Sequence, residues 1–422
     1  MIAWQLFANG ATPESTGIKG DHFVGEYYVK FNDAYKQEVE KLISEGADKA
    51  SAEKEAPIMK ATQQMLLDWE EEKPEVMGLW KTMNSWVYAG FDVTYKSIGT
   101  DFDKIYYESN TYLLGKDIVQ QGMDKKVFYQ KDDSSIWIDL TADGLDEKIV
   151  QRSDGTSVYI TQDIGLALQK YEQYKIDQSI YVIGNEQNYH MKVLQLICQK
   201  LGMPNADNIY HLSYGMVELT SGKMKSREGT VVDADDIVEE MLSTSQQHTE
   251  ELGKVKDFTP EELTALYNTI GLGAMKFYLL RVDPKKTMVF NPAESIDFHG
   301  FTGPFVQYTY ARIKSILRKQ QSTAMTNDPI TNDLLKAEKE VIVVAEQYGS
   351  IIVQAAQEHN PSVIANYVFH LAKTFNSFYS ELSVANAETE SKKQLRLKIS
   401  LLTSNILKSG MQLLGINVPE RM

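Results

Sequence analysis

Residues 180–184 read Ile180-Tyr181-Val182-Ile183-Gly184, a short apolar run of the kind found in strands buried within a parallel sheet. An amphipathic helix is predicted to follow, because apolar residues recur at helical spacing up to Leu201. The alternating run Ile136–Leu140 and the β-rich run at 157–160 predict two further strands, and Thr161 is predicted to cap a helix after the second. Strands and helices that alternate at this spacing are typical of βαβ units. The sequence therefore predicts an α/β region on a parallel, doubly wound sheet.

The rest of the sequence is predicted to be mainly helical. Residues 1–125 contain long charged runs that Pro57 and Pro74 interrupt. After about residue 260 no strand pattern is found, and helical periodicity predicts helices at 263–280, 305–319, 334–357, 363–382 and 393–414. We therefore expect a mainly helical region (1–125), a partial Rossmann-like domain with connecting helices and a helical insertion (126–285), and an all-α helical bundle (286–422).

Composition narrows the class of protein. Hydrophobic residues make up 43% and charged residues 24% of the chain, as in ordinary globular proteins. No apolar run reaches the length of a membrane-spanning helix, so no membrane partner is expected. A single cysteine cannot form an internal disulfide, and this pattern predicts a protein of the reducing cytoplasm. Cys198 is the single cysteine and is predicted to fill the core. One cysteine and unclustered histidines exclude a thiolate metal site, and no tightly bound metal is expected.

The charge distribution bears on nucleic-acid binding. A net charge of −15 argues against general affinity for nucleic acid. Residues 299–422, however, carry 13 Lys and Arg against 10 Asp and Glu, and no acidic residue occurs between Asp297 and Asp328. A local basic strip on an acidic protein suits specific contact with RNA better than promiscuous binding.

Polar side chains of complementary chemistry are predicted at two strand ends. Tyr159 and Asp163 flank the end of the run at 157–160, and Gln187 and His190 follow the next buried run. Because open α/β sheets bind ligands beyond the carboxyl ends of their strands, these groups are expected to meet in one crevice. An acid, a phenol and an amide suit a guanidinium, whose planar N–H donors a carboxylate accepts in pairs. The alternative is that Asp163 only occupies a helix's first turn, where the macrodipole favours an acid.

A phosphate-binding loop is predicted at Gly222–Thr230. It contains Lys223, Lys225, Ser226 and Arg227 between two glycines. Clustered cations of this kind can stabilise charge that develops on a polyphosphate as a leaving group departs. The spaced glycines and the Lys-Ser/Thr ending of a Walker loop are absent. A solvated basic hairpin tip is the alternative interpretation.

Several motifs, in this order, resemble one protein family. The loop Gly222-Lys223-Met224-Lys225-Ser226-Arg227 resembles the second signature loop of class I aminoacyl-tRNA synthetases, usually written Lys-Met-Ser-Lys-Ser. Further segments resemble the arginyl-tRNA synthetases within that class, and they are Arg152–Asp163, Gly184–His190, Asn291–Ile296, Gly300–Tyr308, Arg312–Lys319 and Leu414–Met422. The resemblance extends over nearly the whole chain.

The resemblance implies a reaction in two steps. Arginine would attack the α-phosphate of Mg²⁺-bound ATP to give arginyl-adenylate, and the 2′-hydroxyl of the terminal ribose of tRNA(Arg) would then accept the arginyl group. L-Arginine, tRNA(Arg) and ATP with Mg²⁺ are the expected substrates. In that family the positions matched by Tyr159, Asp163 and Gln187 hold the guanidinium. Catalysis of this kind depends mostly on positioning and charge stabilisation, so no nucleophilic side chain is expected.

The other matched positions concern ATP and tRNA. The resemblance implies that ATP lies near His190, that adenine is framed by Gly215, Met216 and Val217, and that the triphosphate faces Lys223, Lys225, Ser226 and Arg227. The helical end resembles the family's anticodon-binding domain, which implies stacking faces and phosphate-binding cations at Phe305, Tyr308, Tyr310, Arg312, Lys314 and Arg318. Met422 would reach the anticodon loop. The alternative is a helix that buries its aromatic rings and exposes its cations to solvent. A monomer is expected.

The sequence departs from the family pattern in two places. The loop reads Lys-Met-Lys-Ser-Arg, which leaves open which cation meets which phosphate. The first class I signature, His-Ile-Gly-His, does not occur, and Asp21–Gly25 contains only one histidine. We therefore expect a fragment that begins inside the catalytic domain and does not activate arginine alone.

Two other functions remain open at this stage. Another nucleotidyl transferase of the same superfold, acting on a small carboxylate, would not have an anticodon-type helical domain. A non-catalytic tRNA-binding fragment would bind tRNA but neither arginine nor ATP.

Overall fold

The computed structural model describes residues 1–111, 114–219, 233–251, 257–320 and 333–422, without the side chains of residues 116 and 219. Two compact units are found, one of residues 1–101 with 221–253 and one of residues 102–220 with 254–422. The helices of the first hundred residues are α1 (Ile2–Phe7), α2 (Pro13–Thr16), α3 (Gly20–Ser44), α4 (Lys49–Glu55), α5 (Pro57–Glu70) and α6 (Pro74–Ser97). Those of the next part are α7 (Glu108–Thr111), α8 (Gly115–Asp124), α9 (Tyr159–Tyr174), α10 (Asn188–Lys200) and α11 (Ala234–Glu251).

The remaining helices are α12 (Pro260–Leu280), α13 (Pro292–Ser295), α14 (Gly303–Lys319), α15 (Lys336–Glu346), α16 (Tyr348–Glu358), α17 (Ser362–Glu381) and α18 (Glu390–Leu413). The strands are β1 (Tyr129–Gln130), β2 (Ile136–Ile138), β3 (Lys148–Gln151), β4 (Ser179–Gly184), β5 (Ile209–Tyr214), β6 (Val217–Leu219) and β7 (Met288–Phe290). No helix in the described part of the chain is both long and apolar enough to cross a membrane.

The first unit is helical, and α3 packs closely against α6. A Cβ atom at Gly20 would lie 2.1 Å from the backbone oxygen of Trp86, so the two helices touch where this glycine lacks a side chain. The Trp86 ring meets Phe23 edge to face at 5.6 Å in the core. Pro57 and Pro74 each occupy the first position of a helix, where the missing N–H costs nothing.

The second unit contains the predicted βαβ arrangement. β4 pairs in parallel with β5, from Ser179 opposite Ile209 to Gly184 opposite Tyr214, and α10 connects them. Helices α9 and α10 bury an apolar core that includes Ile164, Leu194, Ile197 and Cys198, all 0% exposed. The predicted strand at Ile180–Gly184 and the predicted burial of Cys198 are thus confirmed, as is the α/β-plus-helical fold class. The predicted burial of that strand is wrong, because Ile180 and Val182 are 44% and 63% exposed.

Two sequence-based predictions near residue 160 are wrong. Residues 157–160 do not form a strand, because Ser157 makes only an isolated bridge to Gln151 and α9 begins at Tyr159. Val158, in an extended conformation, occupies the N-cap position. Thr161 is therefore not a cap. It lies 1% exposed inside the first turn, and its hydroxyl donates to the backbone oxygen of Val150.

Two predictions for the C-terminal half also need correction. Strands do not end before residue 260, because β7 pairs in parallel with β6, with Val217 opposite Met288. The single helix predicted at 334–357 is two helices, α15 and α16, which meet at Gln347. The other predicted helices after residue 260 are confirmed.

Helices α12 and α14 to α18 bury a second large core, in which Phe375 and Phe378 are 0% exposed. An ion-pair hub, here the group Glu338, Glu388, Lys392 and Arg396, extends from this core to the surface, because Glu338 and Arg396 are buried whereas Glu388 is 62% exposed. Arg396, 1% exposed, donates from Nε to Glu338 Oε1 at 2.9 Å and from Nη2 to Glu388 Oε2 at 2.7 Å. Lys392 donates to the other oxygen of Glu338 at 2.7 Å. Burial alone would raise the pKa of Glu338, but the hydrogen bonds from Lys392, the Leu335 amide and Arg396 lower it.

Candidate functional site

The central feature of the predicted arginine site is a contact between α9 and α10. Asp163 lies in the second turn of α9, and its Oδ2 atom is 2.7 Å from Nε2 of His190 in the first turn of α10. The two side chains are 38% and 30% exposed, so the pair is accessible from solvent. A carboxylate that is oriented on one side and open on the other can accept a ligand's donors.

Tyr159 and Gln187 belong to the same pair of elements. Tyr159 is the first residue of α9, four positions before Asp163, which places both on one face of the helix. Its ring is 73% exposed. Gln187 ends a 3₁₀ turn between β4 and α10 and is also exposed. The structure therefore places all four sequence-predicted residues on the first two turns of α9, on the first turn of α10 or immediately before α10.

The predicted adenine-framing residues follow β5, whose carboxyl end lies beside that of β4. The Gly215 amide donates to the backbone oxygen of Pro284 at 2.7 Å. A Cβ atom at Gly215 would lie 2.4 Å from the Lys286 carbonyl, so only glycine allows this approach of two backbones. Met216 is 52% exposed, and Val217 starts β6. The predicted triphosphate residues Lys223, Lys225, Ser226 and Arg227 lie outside the described residues.

A second candidate site is a cleft of about 760 Å³ in the helical part of the second unit. Its lining includes four basic side chains (Arg312, Arg318, Lys319 and Arg421) and one acidic side chain (Asp257), together with Tyr308, Tyr379 and Met422. Three of the residues predicted to bind tRNA, Tyr308, Arg312 and Met422, thus line one cleft. A cleft with this excess of cations and two phenol rings can bind both phosphate and unpaired bases.

The side chain of Arg312, which lines this cleft, is held in place by several contacts. Its guanidinium lies 4.9 Å from the ring centroid of Tyr308 and 5.4 Å from that of Tyr379. Its Nη1 donates to Asn376 Oδ1 at 2.6 Å, and Asn376 in turn donates to the Thr309 hydroxyl at 2.8 Å. The side chain is therefore oriented before any ligand arrives.

Two aromatic residues predicted to face RNA lie elsewhere. The Phe305 ring packs 5.0 Å from Phe369 beside the helical core, so its role in tRNA binding stays a prediction. Tyr310 is 2% exposed and its hydroxyl donates to Glu420, so its ring is not an open stacking face. The sequence interpretation also missed Asn376 and Tyr379. Both lie on α17, and their helical spacing alone does not distinguish a cleft wall from a solvated face.

The first unit contains a polar cluster that sequence reasoning did not find. His22 Nε2 lies 3.0 Å from Asp235 Oδ2, and Asp21 is close to both. The ammonium group of Lys19 donates to Asp21 at 2.9 Å, to Thr94 at 2.6 Å and to Asp235. Since an amine already bonds both carboxylates, the cluster is an ion-pair network between α3, α6 and α11.

Two family models match the chain. Residues 21–291 match tRNA synthetases class I (R), catalytic domain, and residues 306–422 match the DALR anticodon binding domain. These two matches define a class I aminoacyl-tRNA synthetase.

Relatives and solved structures narrow the class. The chain is 56% identical to the arginine–tRNA ligase of Flavobacterium psychrophilum and 51% identical to that of Bacteroides thetaiotaomicron, over 100% of this chain and 70% and 71% of theirs. It belongs to the arginyl-tRNA synthetase family. Its fold is similar to the arginyl-tRNA synthetases of Thermus thermophilus (22% identity, TM-score 0.74, 92% of this chain and 74% of that one) and Plasmodium falciparum (17%, 0.71, 94% and 68%).

Proposed function

We propose that Asp163, Tyr159 and Gln187 bind the guanidinium of the arginine that this class I ligase couples to tRNA at the expense of ATP. The observation that carries the proposal is the 2.7 Å contact between Asp163 and His190. It leaves the carboxylate of Asp163 partly open, on the same helix face as the exposed Tyr159 hydroxyl. A guanidinium presents planar N–H donors that such a set accepts, whereas an ammonium cannot match the geometry.

The reaction consists of two transfers. A carboxylate oxygen of arginine attacks the α-phosphorus of ATP, the bond to the β-phosphate breaks, and arginyl-adenylate and pyrophosphate form. The 2′-hydroxyl of the terminal tRNA ribose then attacks the arginyl carbonyl, and AMP leaves. Mg²⁺ accompanies ATP and supplies charge compensation for the phosphates. In this chain, Tyr159, Asp163 and Gln187 are proposed to hold the guanidinium. His190 is proposed to lie beside the nucleotide, and the Gly215–Val217 backbone to frame adenine.

The cleft around Arg312 is proposed to bind unpaired anticodon bases of tRNA(Arg). The Tyr308 and Tyr379 rings and the Arg312 plane provide stacking surfaces, and Arg318, Lys319 and Arg421 provide charge for phosphates. Single-stranded RNA needs both stacking surfaces and cations, because stacking alone does not offset phosphate repulsion by an acidic protein.

We further propose that the chain acts as a monomer in the cytoplasm. Light scattering in solution tests whether it is a monomer.

Calorimetry of arginine binding tests the proposed amino-acid site. Asp163→Asn removes the charge that faces the guanidinium, so the Kd for arginine should rise at least about tenfold, the range for a hydrogen bond to a charged group. Glu172→Gln is the matched control, because Glu172 is an exposed acid on the same helix. An unchanged Kd in Asp163→Asn would contradict the proposal.

The same calorimetry also tests the alternative function. Binding of tRNA by a wild-type chain that binds neither arginine nor ATP would favour a non-catalytic RNA-binding function.

A further inference from the structure

One face of α14 is occupied by the chain's own C-terminal segment, residues 415–422. Gln307, Tyr310, Lys314 and Arg318 follow one another at intervals of three or four residues, so they form one stripe along the helix, here called the tail stripe. Each of them bonds the segment. Gln307 Nε2 donates to the Asn417 oxygen at 2.8 Å, and the Tyr310 hydroxyl donates to Glu420 Oε1 at 2.7 Å.

The two cations of the tail stripe also meet Glu420. Lys314 Nζ lies 3.2 Å from Glu420 Oε2, and Arg318 Nη1 donates to the Glu420 backbone oxygen at 2.9 Å. Burial alone would raise the pKa of Glu420, but the hydrogen bonds from Tyr310 and Lys314 and the charges of Lys314 and Lys408 lower it. The charge of Lys314 is therefore already paired within the protein.

The N-terminal half of the tail stripe, Gln307 and Tyr310, is buried. Gln307 is 0% exposed and donates also to the Thr269 oxygen of α12 at 2.9 Å, and Tyr310 is 2% exposed. Two further contacts hold the segment at its ends, from Lys276 to the Gly415 oxygen at 2.8 Å and from Arg421 to Glu262 at 2.9 Å. The segment is thus attached along its length, and Met422 and Arg421 at its end line the cleft.

A second stripe of the same helix faces the cleft. Tyr308, Arg312, Ser315 and Lys319 also follow one another at intervals of three or four residues, and all four line the cleft, whereas Lys314 and Tyr310 do not. Arg318 does both, because it lines the cleft and bonds Glu420. Some basic residues of α14 therefore line the cleft, and others hold the C-terminal segment.

We infer that Lys314 and Tyr310 are positioning residues, which act on RNA only through Glu420 by fixing the segment that forms one wall of the cleft. The inference rests on the proposed binding of tRNA in that cleft. Lys314 then differs from a direct phosphate contact in a measurable way. It neutralises a carboxylate of the protein, so it releases no counterion from RNA when the complex forms.

Salt dependence of binding separates the two roles. Binding of a tRNA(Arg) transcript is measured at several salt concentrations for wild type and for Lys314→Ala, with Lys336→Ala, an exposed lysine of α15, as the control. Lys314→Ala should weaken binding about two- to fivefold, as for a partly exposed ion pair. Its slope of log affinity against log salt should equal that of wild type. A slope reduced by about 0.7 to 0.9, the value for one lost phosphate contact, overturns the inference.

A double-mutant comparison adds a second test. In a Glu420→Gln background, which keeps an acceptor for Tyr310 but removes the charge, Lys314→Ala should have little further effect on tRNA affinity. The effect of Arg312→Ala should persist in that background. Equal, additive losses for Lys314→Ala in both backgrounds contradict a role through Glu420.

A measurement without RNA keeps the inference separate from the proposed function. Amide hydrogen exchange in residues 415–422 should be faster in Lys314→Ala and Tyr310→Phe than in wild type, and unchanged in Arg312→Ala. Unchanged exchange in the first two variants overturns the inference, whatever the RNA result. Failure of the wild-type chain to bind tRNA, with faster exchange in these variants, overturns only the anticodon-cleft proposal.

Discussion

The Asp163 carboxylate in the second turn of α9 and the His190 imidazole in the first turn of α10, 27 residues apart, meet at 2.7 Å. This contact joins two helices that also bury a common apolar core, and it lies at the solvent-exposed edge of their interface. One oxygen of Asp163 is bonded by the ring, which fixes the direction of the other. His190 therefore orients the acid that is proposed to receive the substrate guanidinium.

If that orientation matters, loss of the ring nitrogen should weaken arginine binding less than loss of the acid. His190→Phe keeps the volume of the side chain but removes the hydrogen bond, and we expect the Kd for arginine to rise about two- to tenfold, the net value of one hydrogen bond. Calorimetry measures it, with His370→Phe in α17 as a control far along the chain. A Kd equal to that of wild type would show that Asp163 needs no partner.

Arg396→Met should strongly destabilise the helical core. It leaves Glu338, 0% exposed, without its Nε partner, and breaking a buried ion pair costs about 3–5 kcal/mol. Glu338→Met combined with Arg396→Met should recover part of this loss, because no uncompensated charge remains between these two positions. Urea denaturation followed by circular dichroism gives both values. Lys336→Met, whose lysine is 92% exposed, is the control and should change stability by no more than about 0.5 kcal/mol.

Lys170 should give a stability difference that depends on pH. Burial lowers its pKa to about 8 even though the charge of Asp163 acts in the opposite direction. Between about pH 8 and pH 10.5, its ordinary value, the unfolded chain keeps the proton that the folded chain has lost, so the folded state gains stability as pH rises. Lys170→Met should therefore be more stable than wild type at pH 7, and its advantage should shrink through this range. An advantage that grows with pH in parallel denaturant titrations would contradict the assignment.

Cys198 should not react with thiol reagents in the folded protein. It is 0% exposed, and burial, with a smaller effect of the Asp163 charge, raises its pKa to about 12. Since the thiolate is the reactive species, iodoacetamide at pH 8 should modify it only as fast as the chain unfolds. Mass spectrometry over time, with and without urea, measures this. Rapid modification without urea would show that the α10 core opens locally.

The outcome at particular residues shows which parts of the fold local sequence can predict. The strand at Ile180–Gly184 was predictable because a continuous apolar run of this length, ended by a glycine, is typical of a strand and too short for a helix. The run at 157–160 has the same β-rich composition, yet the helix begins inside it, since the turn at Asp154–Thr156 and the packing of Thr161 on Val150 outweigh local propensity. The break at Gln347 has no proline and no capping signal in the sequence, so helical periodicity alone runs through it.

In the candidate sites, too, some residues were predictable from local sequence, whereas others depend on contacts with distant parts of the chain. Gln187 and His190 follow β4, so the sequence could place them at a strand end, although their roles stay predictions. Asp163 was predicted to follow a strand at 157–160 that does not form, and it lies beside His190 because α9 packs against α10. Tyr308 and Tyr310 are two residues apart and chemically alike, but one lines the cleft and the other is buried under the C-terminal segment. Which of them meets solvent depends on where residues 415–422 lie, 110 positions away for the bond between Tyr310 and Glu420. Partners this distant leave no periodic signal.

The ion-pair hub of Glu338, Glu388, Lys392 and Arg396 bears on how the helical part assembles. Glu338 belongs to α15, and both of its cationic partners, Lys392 and Arg396, belong to α18, so the Glu338 charge is not compensated until the two helices have docked. A partly folded state that buried α15 alone would carry an unpaired carboxylate in an apolar interior, at a cost of several kcal/mol. Such intermediates are raised in free energy relative to the complete bundle. The hub therefore favours all-or-none folding of α15 to α18, and a single kinetic phase for this part of the chain is the expected signature.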